Sequence, residues 1–356
     1  MTKIYKVIGI MSGTSLDGID VAYCRFEPSG HKFLYNIIKA STYKYPETWK
    51  KKLSEAASLS ALDFSLLHIE YGVFLGKTVK KFISKNNLKP DFICSHGHTI
   101  FHQPDKKLTV QIGSGAAIAA ETGFTTICDF RTTDVAFGGQ GAPLVPIGDE
   151  ILFSDFDICL NIGGFANLSY KKKNKRIAFD VCPANIILNH LSGKIGLDYD
   201  PCGQNTRKGK ILPELLKQLN RLEFYRLKPP KSLGREWVEN KVIPTLEGYQ
   251  DLPVNDVLRT VTEHIANQIA DAVHKTKAKN VLVTGGGAFN TFLLERIKKS
   301  CKTEIVLPDK EIINYKEALI FAFLGVLRIR NENNCLKSVT GAKKDNCGGS
   351  VYFPGN

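Results

Sequence analysis

Apolar positions along this chain repeat with two periods. Tyr5-Lys6-Val7-Ile8-Gly9-Ile10 is a strand-like run, and a Gly/Ser/Thr/Asp-rich bend from Met11 to Gly18 follows. Ile19-Asp20-Val21-Ala22-Tyr23-Cys24 then resumes the strand pattern. The plan returns later: Phe156 to Ile162 reads as a strand, Gly163-Gly164-Phe165-Ala166-Asn167 as a bend, Leu168-Ser169-Tyr170 as its exit and Arg176 to Phe179 as a third strand. Two hairpins with glycine at the bend point to two related lobes. Between them the period lengthens. Ala61 to Lys85 carries Leu62, Leu66, Ile69, Val73 and Phe74 near helical spacing, and Val257 to Lys275 carries Val261, Ile265, Ile269 and Val273. Asn280 to Thr284 is a buried strand running into Gly285-Gly286-Gly287. The longest apolar run, Ala318 to Leu327, is half the ~20 residues of a membrane helix and follows Lys316-Glu317, so it reads as a buried helix. The class is α/β: two lobes of mixed β-sheet with flanking helices. The Gly/Pro-rich stretch from Phe137 to Pro146 marks their boundary, giving lobes of residues 1–145 and 146–334, with 335–356 returning to the first.

Composition narrows this picture. A chain of 356 residues exceeds the about 250–300 that one core fills, which supports two lobes. Its 43% apolar and 23% charged residues exclude disorder, collagen and coiled coil. The N-terminus alternates charged and apolar residues and lacks the apolar core of a secretory signal. Nine cysteines, none in a Cys-x-x-Cys pair, read as free thiols in a reducing cytoplasm. The net charge of +13 is spread out, and its densest cluster, Lys171 to Arg176, sits between two strands as a charged hairpin tip. Neither a nucleic-acid partner nor a membrane is expected.

Three glycine bends follow apolar strands: Gly9 to Asp20, Asn161-Ile162-Gly163-Gly164, and Thr284-Gly285-Gly286-Gly287 with Asn290. Glycine lets backbone N–H groups approach an anion, and it equally serves any turn that needs positive φ. Within the first bend, the hydroxyls of Thr14 and Ser15 add donors, and Asp17 or Asp20 can hold Mg²⁺ through water. This bend returns to a strand instead of opening a helix, which excludes a Rossmann fingerprint. Gly72 to Thr78 is one residue short of a P-loop and lies within a helical pattern. Asp180, at the end of a strand and before a helix, is the leading candidate for a base, and an N-cap is the alternative. Glu317 opens the buried helix, where a first-turn acid is also favoured by the helix dipole. His96, His98 and His102 lack the spacing of a zinc site and fit hydrogen bonding at a strand end. Arg131 can fork onto a carboxylate or phosphate, or pair with Asp129 or Asp134.

These residues resemble those of the anhydro-N-acetylmuramic acid kinases. The likeness runs through Gly9 to Asp20, Ser95-His96-Gly97, Gln111-Ile112-Gly113, Asp129-Phe130-Arg131, Gly138 to Pro146, Asn161 to Gly164, Phe179-Asp180, Thr284 to Gly287, Glu317-Ala318 and Val339 to Ala342. It implies an actin/hexokinase-like ATPase fold with a central cleft and a cytoplasmic homodimer. It also implies an enzyme that uses ATP and Mg²⁺ to open 1,6-anhydro-N-acetylmuramic acid and phosphorylate O6. Under it, Asp180 is the catalytic base. Gly13, Thr14, Ser15, Leu16, Asp17, Gly18, Ile19, Asp20, Gly163 and Gly164 hold the phosphates. Gly285, Gly286, Gly287 and Asn290 face the nucleoside, and Glu317, Arg131 and His98 hold the sugar. The chain departs from the family pattern at His98 (usually Gln), Asp149 (usually His), Val181 to Ala184, Asn189 (usually Asp) and Gln204 to Arg207, which the resemblance places near the sugar pocket. The alternatives are a kinase of another anhydro- or amino sugar, and an ATP-binding clamp without catalysis.

Overall fold

The computed structural model describes residues 3–13, 16–30 and 32–355; Thr14 and Ser15, expected in the first phosphate bend, lie outside them. The chain forms two compact units, Met1–Phe153 with Tyr315–Asn356, and Ser154–Asn314. The return to the first unit thus comes at Tyr315, where the sequence reading placed it near 335. The reason is the helix Lys310–Ile329, whose residues Ala318 to Leu327 are almost all sealed from water in the core of the first unit. At its closest approach, a Cβ on Gly9 would lie 1.9 Å from the Ala318 carbonyl oxygen, so only glycine lets the strand and this helix touch.

The first sheet contains β1 (Tyr5–Ser12), β2 (Ile19–Ser29), β3 (Lys32–Tyr43), β4 (Phe92–Ser95), β7 (Thr126–Cys128) and β13 (Ser350–Tyr352), in the order β13-β7-β4-β1-β2-β3. A small separate pair joins β5 (His98–Gln103) to β6 (Leu108–Ile112). The second unit holds β8 (Ile158–Ile162), β9 (Phe165–Lys172), β10 (Lys175–Pro183), β11 (Asn280–Thr284) and β12 (Glu304–Val306), ordered β10-β9-β8-β11-β12. In each sheet an antiparallel meander of three strands continues into parallel strands on the side of its first strand. The echo read from the sequence is therefore a repeated topology, and the class is mixed α/β. The charged tip between β9 and β10 turns at Lys173 and Asn174, both at positive φ (48° and 60°), as a tight two-residue hairpin requires.

The helix Ala61–Asn86 forms, but it presents a different face from the one its periodicity suggested. Leu62, Leu66 and Ile69 are exposed, at 69%, 55% and 51%. The packed face is Leu67, Tyr71, Leu75, Val79 and Phe82, every one at least 96% covered. Gly72 and Gly76 sit beside it; a Cβ at Gly72 would fall 2.7 Å from the Ser114 carbonyl oxygen, at the N-terminus of the helix Gly115–Thr122. The near-match to a P-loop is thus a helix–helix contact. Among the described residues no helix is long and apolar enough to cross a membrane, and all nine cysteines are free thiols.

Candidate active site

In the first unit, polar side chains gather where β1 and β4 end and β2 begins. Asp20 opens β2, and its Oδ1 accepts a hydrogen bond from the Thr42 hydroxyl at 2.6 Å. Burial, and then the charge of Asp17, push its carboxyl above the ordinary value. Two neighbouring carboxylates are the donor set a hard cation takes, with water and phosphate oxygens completing its shell, so Mg²⁺ fits here. No cluster of three His, Cys, Asp or Glu ligands occurs among the described residues.

Arg131 lies just beyond β7. Its Nε and Nη2 donate to His96 Nε2 at 3.1 and 2.8 Å, and its Nη1 donates to the Gly141 carbonyl at 2.7 Å. His96 Nδ1–H donates in turn to the Gly97 carbonyl at 2.9 Å. Burial, and then the charge of Arg131, hold the imidazole well below its usual pKa, so it is a neutral acceptor. The alternative of a pair with Asp129 or Asp134 is not seen among the described residues. Asp129 takes the Thr132 hydroxyl, and Asp134 takes the Gly141 N–H (2.8 Å), the Thr340 hydroxyl (2.9 Å), the Asn346 amide (2.8 Å) and the Cys335 thiol (3.0 Å). Those bonds tie the loop after Arg131 to the C-terminal segment. Burial lowers Arg131 to about 10, with the charge of Glu317 acting in the opposite direction.

Glu317 lies well past the first turn of its helix, so the dipole argument does not apply to it. Its surroundings push its carboxyl upward, while Arg131 draws it down. Beside it, Lys316 Nζ meets Asp149 Oδ1 at 2.7 Å in a buried ion pair. His98 begins β5, and its Nδ1 meets Ser12 Oγ at 2.9 Å.

In the second unit, Asp180 lies within β10 at a bulge between Asp180 and Cys182. It is no N-cap: Ala184 takes that place before the helix Asn185–Gly193. Its Oδ2 accepts the Leu233 N–H at 2.8 Å, and its own N–H donates to the Lys231 carbonyl at 3.0 Å. Oδ1 has no partner among the described residues. Burial is the main push that raises this carboxyl, opposed by the Leu233 N–H and then by the charge of Lys231. Lys231 itself binds the Phe224 carbonyl at 3.1 Å and sits over the Phe224 ring. The Lys231–Leu233 segment carries no motif and lies about fifty residues from the side chain it holds, so nothing in the chain pattern pointed to it.

The glycine bends of this unit divide into two kinds. A Cβ on Gly285 would fall 2.5 Å from Asn161 Oδ1, and one on Gly287 2.2 Å from Ile162 Cγ2, so both are required for β8 and β11 to pack. Gly163, Gly164 and Gly286 have no neighbour closer than 3.5 Å to such a Cβ, and none of the three lies at positive φ. Their own backbone does not demand glycine. The Gly164 N–H has no partner within the described chain, and Gly286 opens a helical turn, where N–H groups lack intrahelical acceptors. The Gly163 N–H is spent on the Phe165 carbonyl at 3.1 Å, so the open backbone that a phosphate chain fits is that of Gly164 and Gly286. Beside Gly286 a cavity of about 490 Å³ is lined by Leu188, Asn189, Tyr199, Phe289 and Asn290 among others, the mixture of flat apolar and amide groups that suits a nucleoside. Asn290 Oδ1 is engaged as the N-cap of the helix Thr291–Ser300, bonding the Leu293 N–H at 3.0 Å, so only its amide nitrogen is left for a ligand. Asn189 and Thr206 line the same cavity. Both are among the departures from the family pattern.

The profile of the anhydro-N-acetylmuramic acid kinase family matches residues 5–354. An anhydro-N-acetylmuramic acid kinase of Francisella tularensis subsp. novicida is 35% identical over 99% of this chain and 100% of its own length. One of Bacillus thuringiensis subsp. konkukian is 35% identical over 98% and 99%. Among solved structures, a ROK family glucokinase from Streptomyces griseus in complex with glucose and AMPPNP matches at a TM-score of 0.42 and 11% identity, covering 90% of this chain and 98% of that one. By the full-length match to both relatives and to the family profile, this chain belongs to the anhydro-N-acetylmuramic acid kinase family, whose members are ATP-using phosphotransferases.

Proposed function

We propose that the chain consumes ATP and water to convert 1,6-anhydro-N-acetylmuramic acid into N-acetylmuramic acid 6-phosphate and ADP, a step in the recycling of cell-wall peptidoglycan. The observation that carries the mechanism is the Asp180 carboxylate: one oxygen is anchored by the Leu233 N–H, the other is free, and burial raises its basicity. The free oxygen takes a proton from water, and the hydroxide oxygen forms a bond to the anomeric carbon. The C1–O6 bond breaks, and O6 takes the γ-phosphoryl group from ATP. Phosphorylation neutralises the leaving oxygen, so no second carboxylic acid is needed, in contrast to ordinary glycosidases.

Gly164 and Gly286 supply open backbone for the nucleotide, and the family resemblance assigns the bend from Gly13 to Asp20 and Gly163 to the phosphates as well. Mg²⁺ would be held near Asp17 and Asp20, where it would neutralise phosphate charge. Arg131, fixed by His96 and Gly141, and Glu317 orient the sugar. The same family reading makes the protein a cytoplasmic homodimer, which sedimentation equilibrium tests. Turnover in ¹⁸O water is the decisive experiment. Mass analysis should find the label on the anomeric oxygen of the product, and unlabelled product would remove water, and with it Asp180, from the mechanism.

The two kinds of glycine give a separate expectation. Gly164→Ala should leave thermal stability within about 0.5 kcal/mol of wild type, because its Cβ meets nothing closer than 3.9 Å, yet weaken ATP binding. Gly287→Ala should cost about 1–3 kcal/mol through overpacking against Ile162. Thermal melts with an ATP titration separate the two. Equal behaviour of the variants would remove Gly164 from the phosphate site.

A further inference from the structure

β10 is an edge strand, and the Asp180 N–H turns away from β9 with no further strand to receive it. Its acceptor is the Lys231 carbonyl, in a stretch that is neither helix nor strand. Two residues on, the Leu233 N–H holds the Asp180 carboxylate. No ladder of hydrogen bonds fixes such a segment on a sheet edge, so something else must. The Lys231 side chain supplies the hold. It turns back seven residues to donate to the Phe224 carbonyl at 3.1 Å, and its ammonium stands 4.2 Å from the centre of the Phe224 ring. Phe224 is a fixed seat. It is 4% exposed and packs against Tyr225 and Trp237, with ring centres 5.8 and 5.5 Å away. Tyr225 OH in turn meets His264 Nε2 at 2.9 Å, and His264 Nδ1 meets Asn220 Oδ1 at 2.6 Å, so the seat is anchored to the helix Val254–His274.

We infer that Lys231 is a positioning residue for Asp180: its side chain, latched on Phe224, keeps Lys231–Leu233 closed on the strand edge and so sets where the carboxylate points. The inference rests on the reading of Asp180 as the base. The latch also decides where the positive charge stands. Seated on Phe224, the ammonium forms no ion pair with Asp180 among the described residues, which leaves Oδ1 without a partner and not sealed from solvent. The charge still acts from there. Burial raises the Asp180 carboxyl, and the Leu233 N–H and then Lys231 oppose it. Around the latch stand Cys182 on β10, Tyr225, His264 and, at the end of the same helix, Lys275. Burial keeps the Cys182 thiol and the Tyr225 hydroxyl protonated and the His264 ring neutral. Lys275 is a second cation; burial, and then its charge, lower the pKa of the Lys231 ammonium.

The pH dependence of turnover in the full chain tests this. In Lys231→Met the acid limb of kcat/KM should move to higher pH, because the burial of Asp180 is then less opposed. Plateau kcat should fall on the order of tenfold as the carboxylate loses its aim, with KM for ATP unchanged. Lys231→Arg keeps the charge and should return the limb to its place. A lysine that only stabilised the fold would leave the limb where it is, so an unmoved limb in folded Lys231→Met overturns the inference. A moved limb with unchanged plateau kcat overturns the positioning role. If Lys231→Met does not fold, the wild type decides. The carbon-13 signal of the Lys231 ε-methylene, assigned by its loss in Lys231→Arg, should shift through a pH step that vanishes in Asp180→Asn. A signal without that step overturns the inference. A step that lies away from the acid limb of kcat/KM overturns Asp180 as the base, and with it the role of Lys231 in the reaction, while the contact between the two residues stands.

Discussion

Replacing Asp180 by asparagine is expected to lower kcat about 10²- to 10⁴-fold, the span that a positioned general base supplies. Asparagine keeps the shape of the side chain, and its carbonyl oxygen can still accept the Leu233 N–H. It has no lone pair basic enough to take a proton from water. ATP affinity should be unchanged, since Gly163, Gly164 and Gly286 keep their places. Thermal stability should rise. Burial raises the Asp180 carboxyl in the folded protein. Between its ordinary pKa and the raised one, the native state therefore holds more proton than the unfolded chain, and stability falls as pH rises through that window. Above the window the wild type carries the cost of an ionised, half-buried acid and the variant does not. The same shift places the acid limb of kcat/KM above the ordinary carboxylate range, with activity lost as pH falls through it. Calorimetry and a pH–rate profile check both statements. An Asp180→Asn enzyme that turns over at near wild-type rate would exclude this residue as the base.

Lys316→Met is expected to destabilise the protein by about 3–5 kcal/mol, because it removes one charge of a buried ion pair and keeps the other. The two side chains are 6% and 4% exposed and their charged atoms stand 2.7 Å apart. The stem of Lys316 also brings its ammonium over the Phe153 ring. Removing both charges, as Lys316→Met with Asp149→Leu, should recover most of the loss, since an apolar pair replaces a buried ion pair at little cost. Urea unfolding of the single and double variants measures the difference. A single variant no weaker than the double would show that the pair does not hold its place by charge compensation. Family resemblance expects histidine at position 149, and in this chain the aspartate has a buried lysine to answer it.

The architecture was legible in the sequence where a residue's neighbours along the chain decide its fate. The strand-bend-strand segments around Gly13 and Gly163, the hairpin tip at Lys173-Asn174 and the buried helix through Ala318 all follow from local periodicity and turn chemistry. The face of the helix Ala61–Asn86 was not. Leu62, Leu66 and Ile69 satisfy helical spacing as well as Leu67, Tyr71 and Leu75 do, and only the close approach allowed by Gly72 and Gly76 chooses between them. In the site, the residue types were readable and their partners were not. Arg131 was sought beside Asp129 and Asp134, which are its neighbours in sequence, yet it binds His96. Glu317 looked like a first-turn acid because the start of its helix, at Lys310, is polar and carries no cap signal. The Lys231–Leu233 clamp on Asp180 joins residues far apart in the chain through backbone atoms, which leave no pattern to read.

The continuity of Ser154–Asn314 has a consequence for synthesis on the ribosome. That unit is complete as soon as its own residues have emerged, so it can fold while the earlier-made one is still waiting. The first unit lacks the helix that covers Gly9, and the β13 edge partner of β7, until the segment after Asn314 has been made. The nascent protein should therefore gain its protease-resistant structure middle first. Burial of β1 would follow later, and a stop codon shortly before Ser350 would leave β7 with a bare edge.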